Sequence, residues 1–85
     1  MRTIYKYQLE LSSEVEIPEG GKVLTFQYQN GIRTIWVLVD TSNPPVKRKF
    51  LIQGTGWELP DYDMEYIGTA QQGVLFVWHL FELSN

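Results

Sequence analysis

The side chains that could carry chemistry in this chain are few, and they favour binding over catalysis. His79 is the one histidine, and there is no cysteine. A His-rich metal site and thiol catalysis are therefore excluded, and a Ser-His-Asp triad would depend on His79 alone. The G-x-S-x-G turn that presents a nucleophilic serine does not occur. We therefore expect a protein that is not an enzyme and that uses neither a metal ion nor a cofactor.

His79 itself allows two interpretations, because it lies within the most apolar segment of the chain, residues 74–83. The simpler one is a buried or interface histidine that bonds a backbone group. In the functional one, His79 lies beside Trp78 in a pocket and donates a hydrogen bond to a ligand.

The Gly54-Thr55-Gly56 segment has the small residues of a phosphate-binding loop but not its other parts. The further glycine, the lysine and the following helix of a P-loop or dinucleotide fingerprint are missing. A tight bend at the end of a strand is the simpler interpretation. In the alternative, the glycine amides and the Thr55 hydroxyl closely approach a small ligand.

Lys47-Arg48-Lys49 is the only basic run, and it holds 3 of the 7 basic residues. Strand alternation places the two lysines on one face and Arg48 on the other. The run is either an edge strand that its lysines protect from edge-to-edge pairing or a local anion site. Arg33 could add a planar guanidinium for a phosphate or a base.

These segments together define a candidate ligand site. The three tryptophans offer rings on which a base could stack, and the basic side chains could meet a phosphate. The candidate ligand-binding residues are Arg33, Trp36, Lys47, Arg48, Lys49, Gly54, Thr55, Gly56, Trp57, Trp78 and His79.

The elements that must position these residues are strands, because apolar residues recur with a period of two along nearly the whole chain. Residues 3–11 carry apolar or aromatic side chains at the odd positions from Tyr5 onward, which predicts a half-buried strand. A shorter alternation at 14–17 precedes a turn at 18–21, where proline and glycine cluster.

The strongest local signal is Asn30-Gly31 between two alternating runs at 22–29 and 32–40. This predicts a hairpin with a type I′ turn, because both turn residues must tolerate positive φ. The two-residue loop then sets the register. The face expected to form the core carries Leu24, Phe26, Tyr28, Ile35, Val37 and Val39. The opposite face carries Trp36 and Leu38, and it is too apolar to be simply solvated.

Further strands are predicted at 46–53, 65–69 and 74–83, with a loop at 41–45 and a turn at 70–73. The acidic segment 57–63 is interpreted as a solvated loop that allows a single helical turn at 60–64. No segment has a sustained helical stripe. The fold class is therefore all-β: a small antiparallel barrel or a compact sandwich of six to seven strands, forming a single β domain over residues 1–85.

The last predicted strand is apolar on both faces. Such a strand is either central in a two-layer structure or buried by another copy of the chain. Together with the face that carries Trp36 and Leu38, it predicts a homo-oligomer.

Composition narrows the classes of partner. The net charge of the 85 residues is −3, which argues against general binding to nucleic acid or to an anionic membrane. Hydrophobic residues make up 44%, enough for a real core. No apolar run approaches the roughly 20 residues of a spanning helix, and the N-terminus lacks the apolar region of a signal peptide. The expected location is the cytoplasm.

Several segments, taken in order, resemble a family of short phage and prophage proteins. They are Trp36-Val37-Leu38-Val39-Asp40, Phe50-Leu51-Ile52-Gln53-Gly54-Thr55-Gly56, Tyr66-Ile67-Gly68-Thr69 and Trp78-His79-Leu80-Phe81-Glu82, with a similar opening at Thr3-Ile4-Tyr5-Lys6-Tyr7. That family has a W-x-L-V-D strand, a G-T-G corner, a Y-[IL]-G-T turn and a terminal H-x-F-E strand. The resemblance implies a phage-encoded protein that acts in the host cytoplasm. It supplies no catalytic residues to carry over to this chain, because the family is one of unknown function.

Two functions agree with these expectations. The first is non-catalytic binding of a small anionic ligand, such as a nucleotide-type signal of antiphage defence that the protein would sequester in an anti-defence role. The second is a protein-interaction module that blocks or accompanies a host or phage protein, since aromatic residues are enriched in interface cores.

Overall fold

The computed structural model describes residues 1–84, and these residues form seven β-strands and no helix. The period of two accounts for the strands, because alternate side chains then share one face and can be buried together. The strands are β1 (Arg2–Gln8), β2 (Ser12–Pro18), β3 (Lys22–Gln29), β4 (Ile32–Asp40), β5 (Pro45–Gly54), β6 (Met64–Gln72) and β7 (Phe76–Leu83).

The strands form two antiparallel sheets, a three-stranded sheet of order β1-β4-β3 and a four-stranded sheet of order β2-β5-β7-β6. The prediction of an all-β fold with six to seven antiparallel strands is confirmed. Of the two predicted architectures, the sandwich fits, because the strands of residues 1–84 separate into two sheets and do not close a barrel.

One hydrophobic core lies between the sheets. The central strand β4 contributes Ile35 and Val37, both 0% exposed, and the facing sheet contributes Phe50, Ile52 and Leu80 at 1% or less. Burying a side chain of this size stabilises the fold by roughly 1.5–3 kcal/mol relative to leaving it in water. The inward-facing positions of β5 and β7 are thereby fixed, and so are their outward-facing positions.

The β3–β4 hairpin forms as predicted at its turn. Asn30 and Gly31 have φ values of 51° and 81°, as a type I′ turn requires. The predicted register holds from Gln29 opposite Ile32 to Thr25 opposite Trp36, and then a bulge intervenes.

The bulge makes the prediction for Leu24 wrong. Val23, not Leu24, pairs with Val37, and Val23 packs against the core while Leu24 is 46% exposed. An extra residue on one strand of a pair turns the side chains beyond it to the other face. Leu24 therefore joins Trp36 on the outer face of the three-stranded sheet.

The bounds of the other strands differ from the prediction mainly at the turns. β1 ends at Gln8 and β2 begins at Ser12, so the break lies at 9–11. The predicted turn at 70–73 is wrong, because β6 continues to Gln72 and the turn occupies 73–75, with Gly73 at φ 58°. Segment 57–63 contains no helical turn.

β7 lies between β5 and β6, and both of these strands run antiparallel to it. β5 and β6 are therefore parallel to each other, and the connection 55–63 crosses over β7. Leu59 of this connection borders a cavity with His79 and Phe81, so the connection passes over the outer face of the sheet. Of the two interpretations of the last strand, the central strand is confirmed.

Within residues 1–84, no helix has the length and apolar character needed to cross a membrane.

Candidate functional site

The G-T-G corner is a tight turn at the end of β5, which is the simpler of the two interpretations given above. The backbone N–H of Trp57 donates to the carbonyl of Gly54 at 3.1 Å. Gly56 has φ +88°, a left-handed conformation that is strained for any residue with a Cβ. The turn directs the Trp57 ring back over the strand end.

The Trp57 ring packs directly on Gly54. A Cβ added to Gly54 would lie only 2.8 Å from Trp57 Cε2, so the glycine is required for this contact. The same ring meets Trp78 edge-to-face, with centroids 5.6 Å apart at 85°. Trp57 remains 48% exposed and Trp78 only 7%. Trp57 is therefore the accessible ring of the pair.

A third aromatic ring completes this cluster. Phe76 stacks on Trp78 with centroids 5.7 Å apart and planes 10° apart, and it is 49% exposed. Trp78 is held in place by its indole N–H, which donates to Gln72 Oε1 at 2.7 Å. We name this surface the corner site; its members are Arg33, Gly54, Thr55, Trp57, Phe76 and Trp78.

Two cavities adjoin the corner site. One, of about 290 Å³, lies between Trp57 and Phe76, and the other, of about 200 Å³, lies between Trp57 and His79. Gly54, Thr55 and Trp57 line both of them, so the G-T-G corner forms the wall that separates the two cavities. Both cavities are smaller in volume than a typical ligand pocket of roughly 300–1,000 Å³.

Arg33 supplies the cation of the corner site. It projects from the start of β4 across the end of the sandwich, and its guanidinium carbon lies 4.9 Å from the centroid of the Trp78 ring. Its Nε atom is buried and has no hydrogen-bond partner among the described residues. A buried N–H without an acceptor costs roughly 1–3 kcal/mol, so Arg33 carries an unsatisfied donor among the described residues.

His79 is at the centre of a chain of side-chain hydrogen bonds on the outer face of the four-stranded sheet. Its Nε2 lies 2.6 Å from Thr55 Oγ1, and its Nδ1 lies 3.1 Å from Thr69 Oγ1. The Tyr66 hydroxyl bonds the same Thr69 hydroxyl in turn. The prediction that His79 bonds a backbone group is therefore wrong, because its ring nitrogens meet two threonine hydroxyls.

The hydrogen-bond chain fixes Thr55. Hydroxyl groups can donate or accept, so both imidazole nitrogens are satisfied in either neutral tautomer of His79. The Thr55 Oγ1 also lies 3.4 Å from the carbonyl oxygen of Val77. The backbone N–H of Thr55 donates a hydrogen bond to the same carbonyl at 3.2 Å. The corner is therefore a rigid element of the cavity wall.

The basic run lies at the opposite end of β5, away from the corner site. Arg48 is in an ion pair with Glu82 at 2.6 Å, and both side chains are only 19% exposed. The hydrogen bonds that Arg48 donates to the Glu82 carboxylate raise the pKa of Arg48. Arg48 is therefore engaged within the fold and does not join the cluster around Trp57.

The two lysines of the run face acidic neighbours. In the register of β2 and β5, Lys47 lies opposite Glu16 and Lys49 opposite Glu14, which offsets their charge locally. β5 as a whole is an interior strand, so the edge-strand interpretation is wrong for the strand. The pairing of β5 with β7 begins only at Phe50, however. Within residues 1–84, the basic run therefore pairs with β2 on one side and with no strand on the other.

Trp36 lies on the outer face of the three-stranded sheet, so the sheet itself separates Trp36 from the core. It borders a shallow depression of about 370 Å³ with Ile4 and Leu24. The structure thus unites seven of the predicted site residues, Arg33, Gly54, Thr55, Gly56, Trp57, Trp78 and His79, and separates from them Trp36, Lys47, Arg48 and Lys49.

Three contributors were missed by the sequence analysis: Phe76, Thr69 and Tyr66. Tyr66 and Thr69 lie in the Tyr66-Ile67-Gly68-Thr69 segment, whose strand register with β7 places Thr69 opposite His79 and Tyr66 opposite Phe81. Alternation could not have paired these residues, because the pairing depends on the turn at 73–75 and on the register shift between Tyr66 and Gly68. Phe76 required knowledge of where the turn before β7 ends.

The whole chain, residues 1–85, matches the model of a family described as a domain of unknown function (DUF7352). The protein belongs to this family. No curated protein and no solved structure matches the chain significantly.

Proposed function

We propose that this protein is a phage-encoded, non-catalytic binding protein whose corner site takes a small anionic ligand of the nucleotide type. The observation that carries the proposal is the Arg33 guanidinium, which lies over Trp78 with a buried and unpartnered Nε. A phosphate or carboxylate oxygen is the acceptor that such a group binds most strongly.

Two exposed aromatic rings that contact Trp78, the ring on which Arg33 lies, support the planar part of such a ligand. Trp57 and Phe76 are each about half exposed and line the cavity of about 290 Å³. Stacking of a base on an aromatic ring contributes roughly 1–3 kcal/mol. One cation beside two exposed rings favours a ligand with one planar ring and one anionic group at the site.

The biological setting of the proposal comes from the motif series of the sequence, which resembles short phage and prophage proteins. A protein of this kind would act in the host cytoplasm and sequester a nucleotide-type signal of antiphage defence. Sequestration requires binding without turnover, and the corner site offers aromatic rings and one guanidinium for that purpose.

Calorimetry tests the proposal directly. The protein is titrated with inorganic phosphate, nucleoside monophosphates, cyclic mononucleotides and cyclic dinucleotides, and quenching of the intrinsic tryptophan fluorescence gives a second readout. We expect heat and quenching from at least one nucleotide. The Arg33→Met variant should bind it about 10- to 100-fold more weakly, which corresponds to the loss of one charge-assisted hydrogen bond.

Lys47→Met is the matched control, because it also removes one positive charge but lies at the far end of β5. It should leave the affinity unchanged. Absence of heat with every member of the panel would overturn the proposed function, and so would an equal loss of affinity in the two variants.

A further inference from the structure

Two surfaces on opposite sides of the sandwich carry opposite charge around exposed apolar side chains. The first is the outer face of the three-stranded sheet, which we name the basic face. Ile4, Leu24 and Trp36 border its depression of about 370 Å³. Lys6 lies opposite Trp36 in the register of β1 and β4, and Lys22 lies opposite Leu38 in the register of β3 and β4.

The basic face is unusual for this molecule. The protein has a net charge of −3, yet the charged side chains that pair with Trp36 and Leu38 are lysines. Thr25 and Gln27 also line the depression. Ile4 is 53% and Leu24 46% exposed, so the apolar centre is open to solvent. An exposed apolar patch rimmed by charged residues marks an interaction site in a soluble protein.

The second surface is the connection that crosses over β7, which we name the acidic connection. It carries Glu58, Asp61 and Asp63, together with the apolar side chains of Leu59 and Tyr62. Leu59 is 49% and Tyr62 58% exposed. Its composition therefore complements that of the basic face: carboxylates for the lysines and apolar side chains for the depression.

Pairing of two basic faces is disfavoured, since it would bring Lys6 and Lys22 of one copy against the same lysines of another. Like charges that face each other across an interface cost several kcal/mol. Pairing the basic face with the acidic connection instead brings lysines of one copy against carboxylates of the other. The electrostatics thus select a contact between two different surfaces of the same chain.

We propose that the basic face of one copy binds the acidic connection of a second copy. The contact is heterologous, so its repetition builds a ring or a linear array. The apolar residues Ile4, Leu24 and Trp36 receive Leu59 and Tyr62 of the neighbouring copy. The proposed contact does not use Arg33, Phe76 or Trp78 of the corner site, although Leu59 borders the cavity of about 200 Å³ beside it.

Sedimentation velocity of the full chain over a range of concentrations tests the contact. We expect association that strengthens with concentration and weakens when salt is raised from about 0.05 M to about 0.5 M, because the charges are exposed and screened. A wild-type chain that stays monomeric throughout would overturn the proposal, and the basic face would then belong to a different partner.

Charge exchange gives a sharper test. One variant carries Lys6→Glu and Lys22→Glu, and the other carries Asp61→Lys and Asp63→Lys. Each variant alone presents two surfaces of the same sign and should be monomeric, with an apparent dissociation constant raised at least about tenfold. An equal mixture of the two restores opposite signs at both surfaces and should associate again.

Two controls keep the test interpretable. Glu10→Lys with Glu19→Lys makes the same change in net charge as the second variant, but at the connections that flank β2, and should leave association intact. Circular dichroism verifies that each variant is folded, with Lys6→Gln and Lys22→Gln as milder replacements. Variants that associate alone as the wild type does, or a mixture that stays monomeric, would overturn the proposal.

Discussion

The carboxylate of Glu82 on β7 holds the guanidinium of Arg48 on β5 through two hydrogen bonds, 2.6 Å from Nε and 2.8 Å from Nη2. The remaining nitrogen of Arg48, Nη1, donates to the carbonyl of Gly21, in the turn that leads into the other sheet. One side chain thereby ties the two layers of the sandwich together at the end opposite the corner site.

Removal of Arg48 tests this tie. Arg48→Met should lower the free energy of unfolding by about 2 kcal/mol, because Glu82 is left partly buried without its charge-assisted hydrogen bonds. Urea unfolding followed by circular dichroism measures the loss. Arg48→Met combined with Glu82→Gln should cost less than the sum of the single changes; additive effects would contradict a direct pair.

Gly54→Ala should disturb the corner site through a contact that the structure identifies. The new Cβ would lie 2.8 Å from Trp57 Cε2, so the Trp57 ring must move off the strand. We expect a loss of stability of about 1–3 kcal/mol and loss of the far-ultraviolet exciton signal of Trp57 with Trp78.

Gly56→Ala is the matched control for that change. Its φ of +88° makes alanine strained, but a Cβ there meets nothing within 4 Å. It should cost about 1–2 kcal/mol and keep the exciton signal. If both variants lose the signal, the contact between Gly54 and the Trp57 ring is not what positions the ring.

The lowered pKa of Asp40 predicts how the stability of the fold depends on pH. Hydrogen bonds from the backbone and hydroxyl of Ser42 lower the pKa of Asp40 from 3.8 to about 2. Because the pKa is lower in the folded state, the stabilisation is complete above pH 3.8 and is lost as the pH falls through about 2. A carbon-13 NMR titration of the Asp40 carboxyl measures this pKa.

Ser42→Ala should move the titration of Asp40 upward, towards 3.8, because it removes the hydroxyl that bonds the carboxylate at 2.8 Å. Asp40→Asn should lower stability near neutral pH, and the difference from wild type should shrink below pH 3.8. A difference that stays constant down to about pH 2 would contradict the assigned hydrogen bonds.

Leu24→Ser tests the bulge in β3. Leu24 is 46% exposed, so in dilute solution the change should alter the free energy of unfolding by no more than about 0.5 kcal/mol. Phe26→Ala, at an inward position, should cost roughly 3–5 kcal/mol. A large loss in Leu24→Ser would mean that the strand pairs in the regular register without a bulge.

The β3–β4 hairpin shows which features of this fold can be predicted from the sequence and which cannot. Asn30-Gly31 determines a turn from local chemistry alone, and the register follows for the residues nearest to it. The bulge beyond Thr25 depends on how β3 packs against the rest of the sandwich. The residues next to it in the sequence do not determine this packing. Leu24 and Val23 are both apolar, so alternation could not distinguish the inward residue.

The candidate site divides in the same way. Gly54 and Trp57 could be brought together from the sequence, because they lie in one turn, whereas His79 joins them only because β5 pairs with β7. Trp36 and Lys47 could not be placed, since their distance from the site depends on strand order and on which end of each strand they occupy. Arg33 is the informative case, because it reaches the site only across the gap between the two sheets.

The crossing of 55–63 over β7 has a consequence for the order of synthesis. β5 and β6 leave the ribosome before β7, the strand that pairs with both of them in the folded sheet. Until residue 83 emerges, both strands present unpaired edges to the cell, and such edges invite aggregation. The four-stranded sheet is therefore completed only after translation has passed its last strand. A product that stops at Gln72 would have six strands and no way to join two of them.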